Sequence, residues 1–270
     1  GGPDSTALIH LAARWQARTA ARLGSNAGEA ILHWTKVTTL LADEHDSPEA
    51  RALLGQARAR LVYAAGRSAA PEAEVAKLFA EARRELGDAD SRELALMLGS
   101  YAVVRNGAGN VEEAQRLAAH ALGMARRLDD HALLAASLWA SVMVHPSNEY
   151  PEENGRFAAE VERLCASDPT LGEELAGFRP WVVVPLLGLP ALFRLGRGGQ
   201  LEALLAKVRS RVGDSRNALE QVLLHYNVTW ARAKRGDLAG ALEHGRQALE
   251  WATQSQNQAL HVVGQVARGS

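Results

Sequence analysis

The chain has 270 residues, of which 47 % are hydrophobic and 23 % are charged. These proportions are typical of a globular protein with a sizeable core and argue against an intrinsically disordered chain. The sequence contains thirty Lys and Arg residues and thirty-one Asp and Glu residues, so its formal net charge is −1. A nucleic-acid partner is therefore not expected, because such proteins usually carry a basic excess. The one cysteine, Cys165, excludes a disulfide framework and a cysteine-rich zinc site.

The longest uncharged apolar run, residues 181–193, is also too short to predict a membrane segment. It contains thirteen residues and two prolines, whereas a spanning helix needs about twenty residues. We expect a cytoplasmic protein without a membrane partner. The chain opens with Gly1-Gly2-Pro3 and stops abruptly at Arg268-Gly269-Ser270. We therefore expect residues 1–270 to form a single repeat domain that is a fragment of a larger multidomain protein.

Apolar residues recur at helical spacing along the whole chain. Between Glu113 and Leu128 they recur every three or four residues and form one stripe, which must be buried against another helix. Turn-forming segments rich in Gly, Pro, Asn and Asp divide the chain into about a dozen helices of twelve to twenty residues. In chain order these segments are residues 24–26, 46–48, 66–68, 87–88, 106–109, 129–130, 146–148, 167–169, 196–199, 213–214 and 236–237. Strand and hairpin patterns are missing, so the sequence predicts an all-α fold.

Two segments of the chain repeat the same pattern. In each, a glycine is followed five residues later by an alanine and then by an Ala-Leu pair: Gly109 and Ala114 in one copy, Gly236 and Ala241 in the other. Looser copies bring small residues to positions about forty residues apart, namely Ala30, Val75, Ala114, Ala158, Leu204 and Ala241. A glycine turn with a small residue in the following helix favours closely packed hairpins, each of which must stack on its neighbours. The pattern therefore predicts an array of hairpins rather than one bundle.

The segments 109–122 and 236–249 resemble the turn and second helix of the tetratricopeptide-repeat (TPR) family. Tyr101 and Ala102 stand where the first helix of that repeat carries a large and then a small residue. The longer, degenerate spacing resembles the regulatory arms of bacterial adenylyl-cyclase/ATPase fusions and of MalT-like transcription activators. Residues 30–43, 48–66 and 71–86 most resemble the adenylyl-cyclase/ATPase arms. The resemblance implies a TPR-like α-solenoid, a right-handed superhelix of about six antiparallel helix hairpins. It also implies a protein-interaction or sensor arm of a bacterial signalling protein.

The sequence carries no recognisable catalytic motif, and we expect a non-enzyme without cofactor or metal. The nine histidines form no His-x-x-x-His or His-Glu-x-x-His spacing, and no phosphate-binding Gly-x-x-x-x-Gly-Lys loop occurs. The densest polar cluster, residues 43–46, is interpreted as a loop whose end caps the helix that begins at Pro48. Asp129-Asp130 is interpreted as a cap in the same way. Cys165, near the end of an amphipathic helix, is interpreted as a small buried residue.

The apolar run from Trp181 to Phe193 has two interpretations. An apolar helix without a polar face is either buried among neighbouring repeats or docks something. The first interpretation makes the run a central first helix of the array. The second makes Trp181 and Phe193 part of an apolar pocket or a partner-docking patch.

Tyr226, Trp230 and Lys234 form the second candidate site. Their spacing of four places them on one face of a helix. The repeat alignment makes that face the groove-lining side of a first helix. Aromatic anchors beside a cation suit a peptide with an apolar side chain and a carboxylate. The alternative is aromatic packing against the next repeat.

Together these patterns predict a non-catalytic repeat module that binds a protein or peptide segment, which could belong to another domain of the same parent chain. The alternative is a small-molecule sensor with its ligand held inside the superhelix. An enclosed pocket with convergent polar groups would favour the sensor, and an open groove would favour the interaction module. An end repeat without the usual polar cap would also allow a homodimer.

Overall fold

A computed structural model describes residues 27–41, 48–68, 70–146, 149–213, 215–255 and 257–269, together with Leu11. Within these ranges the protein is all-α, with thirteen helices and no strand. The helices are α1 (Ala27–Leu41), α2 (Pro48–Arg67), α3 (Glu72–Leu86), α4 (Arg92–Gly107), α5 (Val111–Arg127), α6 (His131–Val144), α7 (Pro151–Leu164), α8 (Glu173–Ala176), α9 (Pro180–Arg194), α10 (Gly198–Val212), α11 (Ala218–Lys234), α12 (Leu238–Gln254) and α13 (Gln258–Arg268).

Local chemistry sets the helix ends. Asp130 caps α6, as the sequence predicts, because its carboxylate accepts a hydrogen bond of 2.9 Å from the backbone N–H of Leu133. The cap proposed for α2 lies outside the described residues. Gly109 and Gly236, the turn residues of the two clearest repeats, have φ angles of 86° and 81°. This left-handed conformation favours glycine, which explains its place between the paired helices.

The helices pack in a regular order along the chain. The first helices α2, α4, α6, α9, α11 and α13 each contact the next member of the series. The second helices α3, α5, α7, α10 and α12 each contact both the preceding and the following first helix. The six small positions predicted from the repeat fall one in each of α1, α3, α5, α7, α10 and α12. Each hairpin therefore buries its apolar stripe against its neighbours.

The main core is continuous from α2 to α11. A smaller cluster, which includes Trp34 and Leu41, packs α1 against α2. Helix α9 lies within the main core, in contact with α6, α7, α10 and α11. It continues through Pro185 and Pro190 as one helix. The apolar run at 181–193 is thus a helix packed among neighbouring helices, although its last turn leaves Phe193 47 % exposed.

Candidate functional site

Helix α11 carries a stripe of side chains that includes Tyr226, Trp230 and Lys234 and continues toward the start of the helix. Leu219, Leu223, Tyr226, Trp230 and Lys234 follow one another at spacings of four, three, four and four residues, so they share one face. Leu219 and Leu223 line a cavity at one end of this face. Tyr226, Trp230 and Lys234 line a groove at the other end. The stripe is therefore the side of α11 that borders both openings.

The groove brings four of the five predicted site residues together. Its walls enclose about 990 Å³ and are formed by Pro151, Pro190, Phe193, Arg194, Tyr226, Trp230 and Lys234. The rings of Phe193 and Trp230 meet edge to face, with centroids 4.9 Å apart and an interplanar angle of 78°. Lys234 Nζ lies 5.8 Å from the centroid of the Phe193 ring. We call these seven residues the aromatic groove.

The aromatic groove carries two positive charges. Arg194 and Lys234 are exposed, and neither forms an ion pair with a carboxylate in the described part of the chain. Lys234 is also close enough to the Phe193 ring for a cation–π contact. The groove can therefore receive an apolar side chain between the rings and an acidic group beside the cations.

A buried ion pair fixes the helices that form this groove. Arg179, at the N-terminal cap of α9, donates from its backbone N–H to the Glu220 carboxylate of α11 at 2.8 Å, and its guanidinium pairs with the same carboxylate. The Ser215 hydroxyl donates to Glu220 as well, at 2.8 Å. The Glu220 side chain is fully buried, and its hydrogen bonds with the Arg179 guanidinium raise the pKa of Arg179. The pair ties the start of α9 to the start of α11, the two helices that carry Phe193 and Trp230.

The fifth predicted residue, Trp181, lies elsewhere. It is 3 % exposed in the core at the start of α9. The Arg211 guanidinium lies 4.6 Å from its ring centroid and Lys207 Nζ lies 5.5 Å away. Trp181 is therefore covered by two cations from α10 and lies outside the aromatic groove.

A second opening, which the sequence does not reveal residue by residue, is a cavity of about 660 Å³ bordered by all six first helices. Its lining is mostly apolar and comprises Gly66, Arg67, Ala70, Glu72, Val103, Val104, Gly107, Ala108, Trp139, Met143, Leu187, Leu219, Leu223, Asn257, Leu260 and Val263. We call it the central cavity. The side-chain nitrogen of Asn257, the residue before α13, lies 3.5 Å from the carbonyl oxygen of Arg67, the last residue of α2, so the two helix ends meet at its rim. The end of α2 and the residue before α13 thus close one wall together.

Arg67 is the cation in this wall. Its Nη1 donates to the Ala176 carbonyl at 2.7 Å, and its guanidinium lies 5.0 Å and 5.5 Å from the ring centroids of Phe178 and Tyr63. The Tyr63 hydroxyl donates to the same carbonyl at 2.8 Å. Trp139 stacks edge to face on both rings, with centroid separations of 6.3 Å to Tyr63 and 5.8 Å to Phe178. The aromatic residues hold the guanidinium in a fixed position.

The remaining chemical candidates have structural explanations. Cys165 is fully buried, as the sequence predicts, and burial with the nearby Asp168 raises the pKa of its thiol to about 11. A thiol with so high a pKa is a poor nucleophile. In the described residues no three His, Cys, Asp or Glu side chains are placed to bind a metal ion. The polar cluster at 43–46 lies outside those residues.

Comparison with known proteins adds no identification. No protein-family profile matches the chain, and no curated protein is similar enough to count as a relative. Among the described helices, none combines the length and the apolar character that crossing a membrane requires.

Proposed function

We propose that the chain is a non-catalytic, TPR-like interaction module that binds a protein or peptide segment in the aromatic groove. The single observation that carries the proposal is the meeting of Phe193, Tyr226, Trp230 and Lys234 in one groove, formed by two first helices. Aromatic side chains with an adjacent cation supply most of the binding energy at many protein interfaces. The favoured ligand is a segment with one apolar side chain followed by acidic residues.

The proposal includes a right-handed superhelix of about six hairpins, as in TPR-like solenoids. It is supported by the contacts of each first helix with the next first helix and of each second helix with its two neighbours. Such stacking presents the first helices side by side on one surface. The aromatic groove lies on this surface, where a bound segment can reach it. A module of this kind would serve as the regulatory or interaction arm of a larger signalling protein.

The proposed ligand class is tested with labelled peptides and a double substitution. Fluorescein-labelled decapeptides with one leucine, phenylalanine or tryptophan before two glutamates are titrated with the protein, and anisotropy is measured. Replacing Tyr226 and Trp230 together by alanine should weaken the best peptide by about 30-fold, because two anchors are lost. Lys234→Glu should weaken the acidic peptides and reduce the salt dependence of their binding.

Leu238→Ala is the matched control. Leu238 is 69 % exposed and lies on α12, outside the groove. The control should bind the peptides as the wild-type protein does. Equal affinity of the double variant and the wild type, or no binding of any peptide to the wild type, would refute the proposal. Trp181 is not part of the proposed binding site, because its burial in the core accounts for an aromatic residue at that position.

A further inference from the structure

The central cavity is separate from the aromatic groove and has the properties of a small-molecule site. Its volume of about 660 Å³ lies within the range of about 300–1,000 Å³ found for ligand pockets. Such pockets are lined mainly by apolar side chains and carry a few polar groups, as this one does. Its lining includes residues of α2 and α13, whose ends meet at the rim. This lining suits an apolar small molecule rather than a peptide segment.

The two charged residues in the lining, Glu72 and Arg67, differ in whether they have an oppositely charged partner. Glu72 is already paired with Arg105, which also pairs with Glu113. Arg67, in contrast, has no carboxylate partner among the residues that the structure describes. Its positive charge is therefore the one in the lining that is left without a counter-charge there.

The guanidinium of Arg67 also has an edge left for an anion. Nη1 donates to the Ala176 carbonyl oxygen and the guanidinium also interacts with the Tyr63 hydroxyl, while no described residue accepts a hydrogen bond from Nε or Nη2. Nε and Nη2 form the edge that Arg179 uses to hold the Glu220 carboxylate elsewhere in this protein. A carboxylate can accept two parallel hydrogen bonds from such an edge, and this pairing is among the strongest in proteins.

We propose that the central cavity binds a small carboxylic acid with an apolar body, its carboxylate held by Arg67 and its body packed against Trp139, Leu187 and Leu223. The charge of the ligand complements that of Arg67, and its apolar part covers apolar side chains from three helices, α6, α9 and α11. The site is independent of the peptide proposed for the aromatic groove. It also gives the small-molecule alternative a defined place in the fold.

Calorimetric titration with decanoate and with decanol tests the proposal, because the two probes share an apolar chain and differ in charge. Decanoate should bind the wild-type protein about tenfold more tightly than decanol. Arg67→Gln should remove this preference, and Arg67→Lys should restore part of it, since lysine keeps the charge but loses the paired donors. Leu219→Trp, which fills the cavity and leaves Arg67 in place, should weaken both probes.

Thermal unfolding of each variant separates a lost site from a lost fold. The double alanine variant of Tyr226 and Trp230 should keep its decanoate affinity, while Arg67→Gln should keep its peptide affinity. The two proposals therefore fail independently. Equal binding of decanoate and decanol, no decanoate binding at all, or decanoate binding that survives both Arg67→Gln and Leu219→Trp would overturn the assignment.

Discussion

Two histidines meet where α11 packs on α12, beside the aromatic groove. The Nδ1 atoms of His225 and His244 lie 2.9 Å apart, and their rings stack with centroids 5.2 Å apart. One ring must donate the shared hydrogen and the other must accept it, so at most one can carry a proton on both nitrogens. Burial, the neighbouring His244 and Arg209 lower the pKa of His225 to about 4. Burial, Arg232 and Arg209 lower the pKa of His244 as well.

This pair should make stability depend on pH. In the unfolded chain a histidine titrates near pH 6.5, whereas His225 titrates near 4 in the folded protein. Protons therefore favour the unfolded chain between these values. The stability that the neutral pair contributes is complete above about pH 6.5 and is lost as the pH falls to about 4. We expect the urea midpoint to decrease over that range.

The matched measurement compares the pH slopes of two variants. His225→Gln should flatten the fall of the urea midpoint between pH 7 and 4, because one titrating member of the pair is gone. His120→Gln, at an exposed position on α5, should keep the wild-type slope. If both variants show the same slope as the wild type, the histidine pair is not the source of the acid sensitivity.

At the scale of elements, close approach between helices depends on single glycines. A Cβ atom at Gly245 on α12 would lie 2.6 Å from the Ala267 carbonyl oxygen and 3.0 Å from the Arg268 Cα of α13. Both neighbours are backbone, which cannot move aside without shifting the helix. Gly155, in the interior of α7, has no other group within 4 Å of such an atom. The two positions therefore test packing and helix propensity separately.

Gly245→Ala should lower the free energy of unfolding by about 1–3 kcal/mol, because the added methyl group forces α12 and α13 apart. Gly155→Ala should raise it by up to about 1 kcal/mol, since alanine favours the helix and meets no obstacle. Urea denaturation followed by circular dichroism measures both changes. A stabilising effect of both substitutions would show that α13 packs less closely on α12 than the structure indicates.

The elements were largely predictable from the sequence, because their signals are local. Glycine turns, caps such as Asp130 and the three-and-four spacing of apolar residues act within one or two turns of helix. The stripe of Tyr226, Trp230 and Lys234 was predictable for the same reason. The apolar run at 181–193 left two interpretations, since composition cannot tell which end of a buried helix is exposed to solvent. Only the packing of α9 on α11 shows that Phe193 joins the stripe and Trp181 does not.

The central cavity was not predictable residue by residue, because its lining extends from residue 66 to residue 263. No short window contains enough of it to produce a pattern. Arg67 in particular reads as one more basic residue at the end of a helix. Its role depends on Ala176, more than a hundred residues later, and on the approach of α13 to α2.

At the scale of the whole molecule, stability should vary along the array. Helices α4, α6 and α9 have first helices on both sides and second helices packed over them. Helix α13 packs on α11 and α12, and its Val262 and Val266 are 54 % and 59 % exposed. In proteins built from stacked hairpins, each unit is stabilised mainly by its neighbours, so units with fewer neighbours open more easily.

Hydrogen exchange followed by mass spectrometry measures this gradient directly. We expect the slowest exchange in peptides from α4, α6 and α9 and much faster exchange in peptides from α13, because α13 can separate without unfolding the centre. Decanoate in the central cavity, whose lining includes Leu260 and Val263, should slow exchange in α13 more than in α4, since it adds contacts to the less stable end. Uniform protection from α2 to α13 would mean instead that the array unfolds as one unit, with the contact between α13 and α2 holding both ends in place.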